Sequence, residues 1–338
     1  MSTIFSRMDD VRDRIDLDRF NLNQSASWVI LTPRFRTSRH IVALLIPNGA
    51  GEPRFVVKMP RLAGDGGGIA REARVLNALR ERSPQVVGSI PEVVAWADGD
   101  RPLLIETALV GSPLTRAMVQ TSPSRYIDEV VSWLIRLPRD NRGGAAPFER
   151  LIGEPLARFA ESFPEGAPER DLVARTLEVV EPVRTAPIPH VFEHGDLSNP
   201  NLIWLPAGRV GVVDWELAEE EGFPLHDLSF FLAFATFALR RSRRVEERLL
   251  AFDDAFFGRG GWAWSRVIAY AEGLGLDEAL LSPLFVACWA RYTAGLTVRI
   301  AGDPSVLDEE GATWVRSNRY YGLWVHTLEN LSRLGWRR

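Results

Sequence analysis

The sequence contains very little cysteine: Cys288 is the only one among 338 residues. A single cysteine excludes an internal disulfide and indicates a reducing compartment. The N-terminal segment carries early acidic side chains and lacks the apolar run of a secretory signal peptide. No window reaches the roughly 18 uncharged apolar residues that a membrane helix needs. These absences predict a cytoplasmic globular protein with no membrane partner.

A surplus of positive charge is also absent. The chain has 44 acidic residues against 40 Lys plus Arg, a formal net charge of −4. Proteins that bind nucleic acid usually carry a basic surplus that neutralises phosphates, so we do not expect nucleic acid as the partner. The length exceeds what one compact core usually absorbs, and we expect two lobes. The oligomeric state is unknown from the sequence.

The chain begins rich in strands and continues rich in helices. Three short β-branched runs within residues 27–60 predict an antiparallel meander. Apolar residues then recur with helical spacing over 69–82, and two more strand-like runs flank the turn at 98–100. Beyond residue 110, amphipathic or buried helices dominate, apart from a β-rich interruption at 190–216.

A lysine and a glutamate in the N-terminal part could form one functional pair. Lys58 lies in the apolar strand "RFVVKMP", and Glu72 lies beside the apolar face of the following helix. A buried ammonium needs a partner, and a Lys–Glu pair would aim it at nucleotide phosphates. Taken alone, Lys58 also fits a surface lysine whose stem covers apolar neighbours.

The β-rich interruption reads "FEHGDLSNPNLIWLPAGRVGVVDWE" and concentrates polar side chains at strand ends. Asp196 and Asn201 are five residues apart, and Asp214 follows at the end of the second apolar run. The turn "AGR" predicts a hairpin that brings Asn201 and Asp214 together, where a carboxylate and an amide oxygen suit Mg²⁺. Asp196 could accept a proton from an attacking hydroxyl; taken alone, it also fits the cap of an ordinary turn.

These residues together resemble the aminoglycoside phosphotransferase and choline kinase-like family of small-molecule kinases, which are relatives of protein kinases. "HGDLSNPN" is similar to the family's catalytic loop, and "VDWELAEEEGFPLHDLSFFL" to its metal-binding segment. The resemblance implies an α+β, bilobal protein kinase-like fold. A small antiparallel β N-lobe with one helix (1–107) would precede a larger, mainly helical C-lobe (108–338).

The resemblance also implies roles for individual residues. Asp196 would be the base, Asn201 and Asp214 the metal ligands, and Lys58 with Glu72 the phosphate-binding pair. The segment that includes Glu106, Thr107 and Ala108 would hold the nucleobase through backbone groups. His194 and Asp227 would support the catalytic loop. The cofactors would be ATP, with GTP possible, and Mg²⁺.

Two departures from protein kinases bear on function. The loop reads His-Gly-Asp without the arginine that binds a phosphorylated activation segment, and only a short stretch separates Asp214 from Pro224. Both features favour a small-molecule kinase. The first hairpin has no glycine, so side chains such as Ser38 would replace the usual backbone contacts with phosphates.

The acceptor is predicted to be a small molecule with a hydroxyl group. Antibiotics (aminoglycosides, macrolides or nucleoside antibiotics, in which case the protein would confer antibiotic resistance) and metabolite alcohols all fit. Glu216 and Glu219 would favour a cationic acceptor if they line the cleft, and a solvated acidic turn fits equally well. Two alternatives are a catalytically degenerate kinase-fold binding module and, less in keeping with the short segment after Asp214, a protein kinase.

Overall fold

The structure is a computed structural model that describes residues 4, 7, 15, 19–20, 26–31, 40–140, 145–258, 261–301 and 306–334. These residues form two compact units. The first comprises Met1–Leu114 and His194–Glu219, and the second comprises Thr115–Glu193 and Glu220–Arg338.

The first unit is built on a five-stranded antiparallel sheet against which a long α-helix packs. Its strand order is β1-β2-β3-β5-β4, which confirms the predicted meander. The elements are β1 (Ala26–Leu31), β2 (His40–Pro47), β3 (Phe55–Pro60), α1 (Gly67–Arg82), β4 (Val93–Ala97) and β5 (Leu103–Thr107). Strand alternation turns Phe55, Val57 and Met59 into an apolar cluster on one face of the sheet, while Leu104 packs on Ile69 and Ala73 of α1 on the other.

A second, three-stranded sheet carries the polar stretch singled out above. It contains β6 (Ser112–Pro113), β9 (Leu202–Trp204) and β10 (Val210–Val212). Because β6 pairs with β9 and β9 with β10, residues 108–114 and 194–219 lie with the first unit. The sequence placed both segments in the predicted C-lobe (108–338), and that lobe boundary stays a prediction. The pairing of β6 with β9 is long-range and leaves no mark in local periodicity.

The second unit is mainly helical. A small sheet of order β11-β8-β7 accompanies its helices. The strands are β7 (Arg139–Asp140), β8 (His190–Glu193) and β11 (Glu219–Gly222). The helices are α2 (Arg116–Thr121), α3 (Pro123–Arg136), α4 (Ala145–Phe148), α5 (Glu154–Glu161), α6 (Pro168–Thr185), α7 (His226–Leu239), α8 (Val245–Phe256), α9 (Trp264–Leu274), α10 (Leu281–Ala301), α11 (Glu309–Ser317) and α12 (Arg319–Glu329).

Aromatic side chains fill the core of this second unit. Phe252 of α8 stacks on Phe285 of α10 with ring centroids 5.9 Å apart, and its ring lies 5.4 Å from that of Trp289. Among the described residues, one segment, Glu278–Val298, has the length and composition of a membrane span, and 67% of its apolar window is buried inside the fold. Such burial is typical of the core helix of a globular unit.

Candidate functional site

Lys58 points its ammonium group at the helix of its own unit. It lies on β3 between Val57 and Met59, which face the opposite side of the sheet, and the residue is only 5% exposed. Its Nζ atom lies 2.7 Å from Oε1 of Glu72. The geometry therefore brings together the lysine and glutamate that the sequence paired.

Glu72 is fully buried on α1 and makes a second contact. Its Oε1 atom also accepts a hydrogen bond from the backbone N–H of Trp215 at 2.8 Å. Burial raises the pKa of Glu72, and the ammonium of Lys58 offsets only part of that effect. For Lys58, burial acts to lower the pKa, but the nearby carboxyl groups outweigh it and hold the pKa well above its usual range.

Asp214 reaches the same ammonium from the end of β10. Its Oδ1 atom lies 3.3 Å from Nζ of Lys58, and its side chain is 43% exposed. Burial alone would raise the pKa of Asp214, but Lys58 outweighs it and the pKa is lowered. The residue has a φ of +70°, a left-handed conformation that aspartate tolerates better than most residues. Asp214 therefore stays ionised and accessible.

The loop at residues 194–201 is tied to the strand that precedes Asp214. The ring of His194 is buried; its Nδ1 accepts the backbone N–H of Asp196 at 3.2 Å. Its Nε2 lies 2.9 Å from the carbonyl oxygen of Val213. Because Nδ1 is an acceptor, Nε2 carries the proton and donates it to that carbonyl. The two contacts join the backbone at Asp196 to that at Val213; the supporting role predicted for His194 stays a prediction.

Asn201 and Asp196 are linked directly. The amide nitrogen of Asn201 donates to the backbone carbonyl of Asp196 at 3.0 Å, which turns the amide oxygen away from that carbonyl. The backbone N–H of Val213 donates to the carbonyl of Asn201 at 3.0 Å, so the hairpin aligns Asn201 with the residue before Asp214. The backbones at Asp196 and Val213 are thus both joined to Asn201 at one end of the hairpin.

The donors at this end fit a magnesium ion. Asp214 offers an ionised carboxylate with an exposed oxygen-bearing side chain, and Asn201 offers a neutral amide oxygen. Mg²⁺ prefers hard oxygen ligands and is usually held by one or two carboxylates together with substrate phosphates and water. Within the described residues, no group of three or more His, Cys, Asp or Glu side chains suits a metal ion held by protein alone.

The predicted nucleobase segment has part of its backbone already engaged. The N–H of Thr107 donates to the carbonyl of Glu92, and the N–H of Ala108 donates to the carbonyl of Arg54, both at 2.9 Å. A nucleobase held by this segment would therefore use its remaining backbone groups. Ser38, the predicted phosphate contact in the first hairpin, lies outside the described residues.

The remaining predicted residues lie in three different settings. Glu216 pairs its carboxylate with Nδ1 of His40 at 2.8 Å, inside the first unit. Glu219 is the first residue of β11, and Asp227 is a buried residue in the first turn of α7. Their proposed acceptor and supporting roles stay predictions.

Sequence reasoning missed the side chain of Glu106. Its Oε1 atom lies 3.3 Å from Nζ of Lys58, so it is a third carboxyl group around one ammonium. Burial raises the pKa of Glu106 to about 8. A signal was available: an acidic residue inside the apolar strand "LLIET" has to turn its side chain to one buried face of the sheet.

A small antiparallel sheet with one helix, a larger helical unit and a Lys–Glu–Asp cluster define a phosphotransferase with a protein kinase-like fold. The family model described as "Phosphotransferase enzyme family" matches residues 42–270, which is more than half of the chain. The chain belongs to that family of phosphotransferases.

Solved structures show the same fold. The choline kinase LicA from Streptococcus pneumoniae is 14% identical with a TM-score of 0.55, over 96% of this chain and 99% of that one. An ethanolamine kinase from Plasmodium vivax is 11% identical with a TM-score of 0.57, over 95% and 88%. An aminoglycoside phosphotransferase solved with GDP and kanamycin is 16% identical with a TM-score of 0.53, over 94% and 97%. No curated protein matches the chain in sequence. The predicted fold class is confirmed.

Proposed function

We propose that this phosphotransferase is an ATP- and Mg²⁺-dependent kinase that phosphorylates a hydroxyl group of a small molecule. The observation that carries the proposal is the convergence of Glu72 and Asp214 on Nζ of Lys58, at 2.7 and 3.3 Å. The three side chains come from elements that are distant in sequence. An ion pair with only a structural role needs two charged side chains, whereas three converge here. Phosphoryl transfer depends on such positioned charge more than on covalent chemistry by the protein.

Each residue has one task in this proposal. Lys58, held by Glu72, binds phosphate oxygens of the nucleotide, and Asp214 with Asn201 would hold Mg²⁺. The ion, when bound, neutralises charge that develops on the phosphate oxygens. Asp196 accepts the proton of the acceptor hydroxyl. The hydroxyl oxygen forms a bond to the γ-phosphorus while the bond from the γ-phosphorus to the β,γ-bridging oxygen breaks, which leaves ADP. His194 and Asn201 orient Asp196 through its backbone N–H and carbonyl groups.

The proposal defines the acceptor by its reacting group, a hydroxyl, and not by the identity of one molecule. Antibiotics and metabolite alcohols share the reacting hydroxyl, and both remain within the proposal. Pairing with His40 engages the carboxylate of Glu216 within the first unit, which weakens the case that this residue attracts a cationic acceptor. A cytoplasmic location is also proposed, supported by the single buried thiol of Cys288.

A small acceptor is favoured over a protein acceptor by the short chain after the metal-binding aspartate. The stretch from Trp215 to Leu225 contains only β11 and its flanking turns before α7 begins at His226. This length leaves no room for an extended activation segment of the type that protein kinases use.

The proposal is tested by an acceptor panel. The purified chain is incubated with Mg·ATP and with individual aminoglycosides, macrolides, nucleoside antibiotics, amino alcohols and sugars, and ADP release is followed. We expect at least one acceptor to stimulate release, with mass spectrometry showing one added phosphoryl group on it. Transfer of the phosphoryl group to generic proteins, with no transfer to any small acceptor, would overturn the proposal.

A further inference from the structure

Glu106 shares a face of the sheet with Lys58 but comes from another strand. In the β3–β5 register, Lys58 lies opposite Leu104 and Val56 lies opposite Glu106. Because side chains alternate along a strand, Lys58 and Glu106 both project toward the face that packs on α1. Glu106 is 1% exposed, and its Oε1 atom lies 3.3 Å from Nζ of Lys58.

The other carboxyl oxygen of Glu106 has no partner. Within the described part of the chain, its Oε2 atom is buried and makes no hydrogen bond. An ionised carboxylate in that position would carry charge with neither water nor a donor to stabilise it, which is costly. Oε2 of Glu72 is also buried without a partner among the described residues, but Oε1 of Glu72 accepts hydrogen bonds from Lys58 and Trp215. The geometry therefore argues more strongly against a full negative charge on Glu106 than on Glu72.

A count of charges leads to the same conclusion. The groups that face Glu106 are Lys58 from β3, Glu72 from α1 and Asp214 after β10. One ammonium cannot compensate three carboxylates, two of which are buried. Glu72 has the shortest contact and also accepts the N–H of Trp215, while the side chain of Asp214 is 43% exposed to water. Glu106 is the least compensated, and burial accordingly raises its pKa to about 8.

We propose that Glu106 is a positioning residue for Lys58: as a neutral carboxylic acid with Oε1 3.3 Å from Nζ, it fixes the ammonium without cancelling its charge, which stays available to nucleotide phosphates. This inference rests on the proposed function. Glu72 anchors the ammonium by charge, and Glu106 anchors it from the strand side without adding charge. When Glu106 loses its proton, a new negative charge next to the phosphates weakens nucleotide binding.

The test is the dissociation constant of Mg·ATP as a function of pH, measured by calorimetry without any acceptor. For the wild type, the constant should rise as the pH passes about 8, to roughly tenfold its neutral value one unit higher. Glu106→Gln cannot ionise, so we expect its dissociation constant to stay flat across the pH range in which that of the wild type rises. Glu92→Gln, which alters a carboxyl group paired with Arg19 and Arg80, should follow the wild type.

Three outcomes would count against the inference in distinguishable ways. If Glu106→Gln shows the same rise as the wild type, the positioning role of Glu106 is wrong. A loss of more than tenfold at pH 7 in Glu106→Gln would mean that the charge is already present and required. If the wild type binds no nucleotide at any pH, the proposed function fails together with the inference.

A second measurement avoids the variant if Glu106→Gln does not fold. Infrared difference spectra of the wild type should contain the carbonyl band of a neutral carboxylic acid at pH 7 that disappears as the pH passes about 8. The absence of such a titrating band would overturn the inference. A merely structural buried glutamate paired with Lys58 as an ion would give no such band.

Discussion

Oε1 of Glu72 lies 2.7 Å from Nζ of Lys58 and 2.8 Å from the backbone nitrogen of Trp215, the residue after Asp214. One carboxylate oxygen therefore fixes both the lysine and the backbone that carries the predicted metal ligand. The Glu72 side chain is completely buried, so neither contact is screened by water. The pair and the metal-binding end of the hairpin form one connected assembly within the first unit.

The Lys58–Glu72 pair should show strong coupling in a double-mutant cycle. Lys58→Met leaves Glu72 without its cation and should destabilise the fold by about 3–5 kcal/mol. Glu72→Gln should cost less, because Glu106 and Asp214 remain near the ammonium. In urea unfolding, the double variant should lose less than the sum of the two, by about 0.5–3 kcal/mol.

A matched control for this cycle is the exposed pair of Arg240 and Asp254, whose side chains are each 62% accessible. Arg240→Met should change the unfolding free energy by no more than about 0.5 kcal/mol. Strictly additive losses for Lys58 and Glu72 would show that the contact has no energetic coupling.

Asp196→Asn should abolish turnover while nucleotide binding persists. The amide cannot accept a proton from the acceptor hydroxyl, and general bases typically contribute about 10²- to 10⁴-fold to the rate. The backbone contacts of residue 196 with His194 and Asn201 do not involve its side chain, so the loop should remain in place. Phosphorylated acceptor is measured by mass spectrometry, with exposed Asp171→Asn as control. Near-normal turnover in Asp196→Asn would remove this residue as the base.

Asp214→Asn should remove the dependence of nucleotide binding on Mg²⁺. Asparagine tolerates the left-handed conformation of residue 214 (φ +70°), so this variant tests the carboxylate charge with little added backbone strain. Thermal shifts with ATP are compared with and without Mg²⁺ or a chelator. In the wild type, chelation should cancel most of the shift. A variant that retains the wild-type response to Mg²⁺ would exclude Asp214 as a metal ligand.

Gly195→Ala should destabilise the first unit more than Gly49→Ala does. Both glycines have a φ of +83°, so both substitutions carry the left-handed penalty of about 1–2 kcal/mol. A Cβ atom at residue 195 would lie 2.6 Å from the carbonyl oxygen of Leu217, whereas nothing lies within 4 Å at residue 49. The difference in unfolding free energy isolates the steric clash in the His-Gly-Asp turn. Equal losses would show that the loop moves freely to accept the methyl group.

The second unit contains a buried ion pair whose strength should depend on pH. Glu193 accepts from Arg291 at 2.7 Å and from the backbone N–H of Phe223 at 3.2 Å. Burial alone would raise the pKa of Glu193, but Arg291 outweighs it and the pKa is lowered below 4.5. The folded state therefore releases this proton more readily than the unfolded chain. The stabilisation is complete above pH 4.5 and is lost as the pH falls through the folded pKa.

We therefore expect the stability advantage of the wild type over Glu193→Gln to shrink as the pH is lowered below 4.5. Urea unfolding at several acidic pH values measures this difference in unfolding free energy between the wild type and the variant. Glu181→Gln, at a side chain that is 58% exposed, should run parallel to the wild type. Parallel curves for Glu193→Gln would mean that the proton affinity of Glu193 does not change on folding.

Local sequence determined the elements and their polarity. Short apolar runs specify β2, β3 and β5, and helical periodicity specifies α1. A short turn between two further apolar runs specifies the hairpin that aligns Asn201 with the residue before Asp214. Motif spacing placed Asp196, Asn201 and Asp214 in one region, since they lie on a single continuous stretch. These features depend on neighbours along the chain, which a sequence displays directly.

Only the tertiary structure decided which distant charges meet. The contacts of Lys58 with Glu106 and Asp214 span separate strands, and the proton affinity of Glu106 depends on burial and on the charges around it, which no local pattern records. Pairing of β6 with β9 likewise joined 108–114 and 194–219 to the first unit. Coulomb energy and desolvation are set by distance in space, so only the folded structure shows that the side chain of Glu106 joins Glu72 and Asp214 around Lys58.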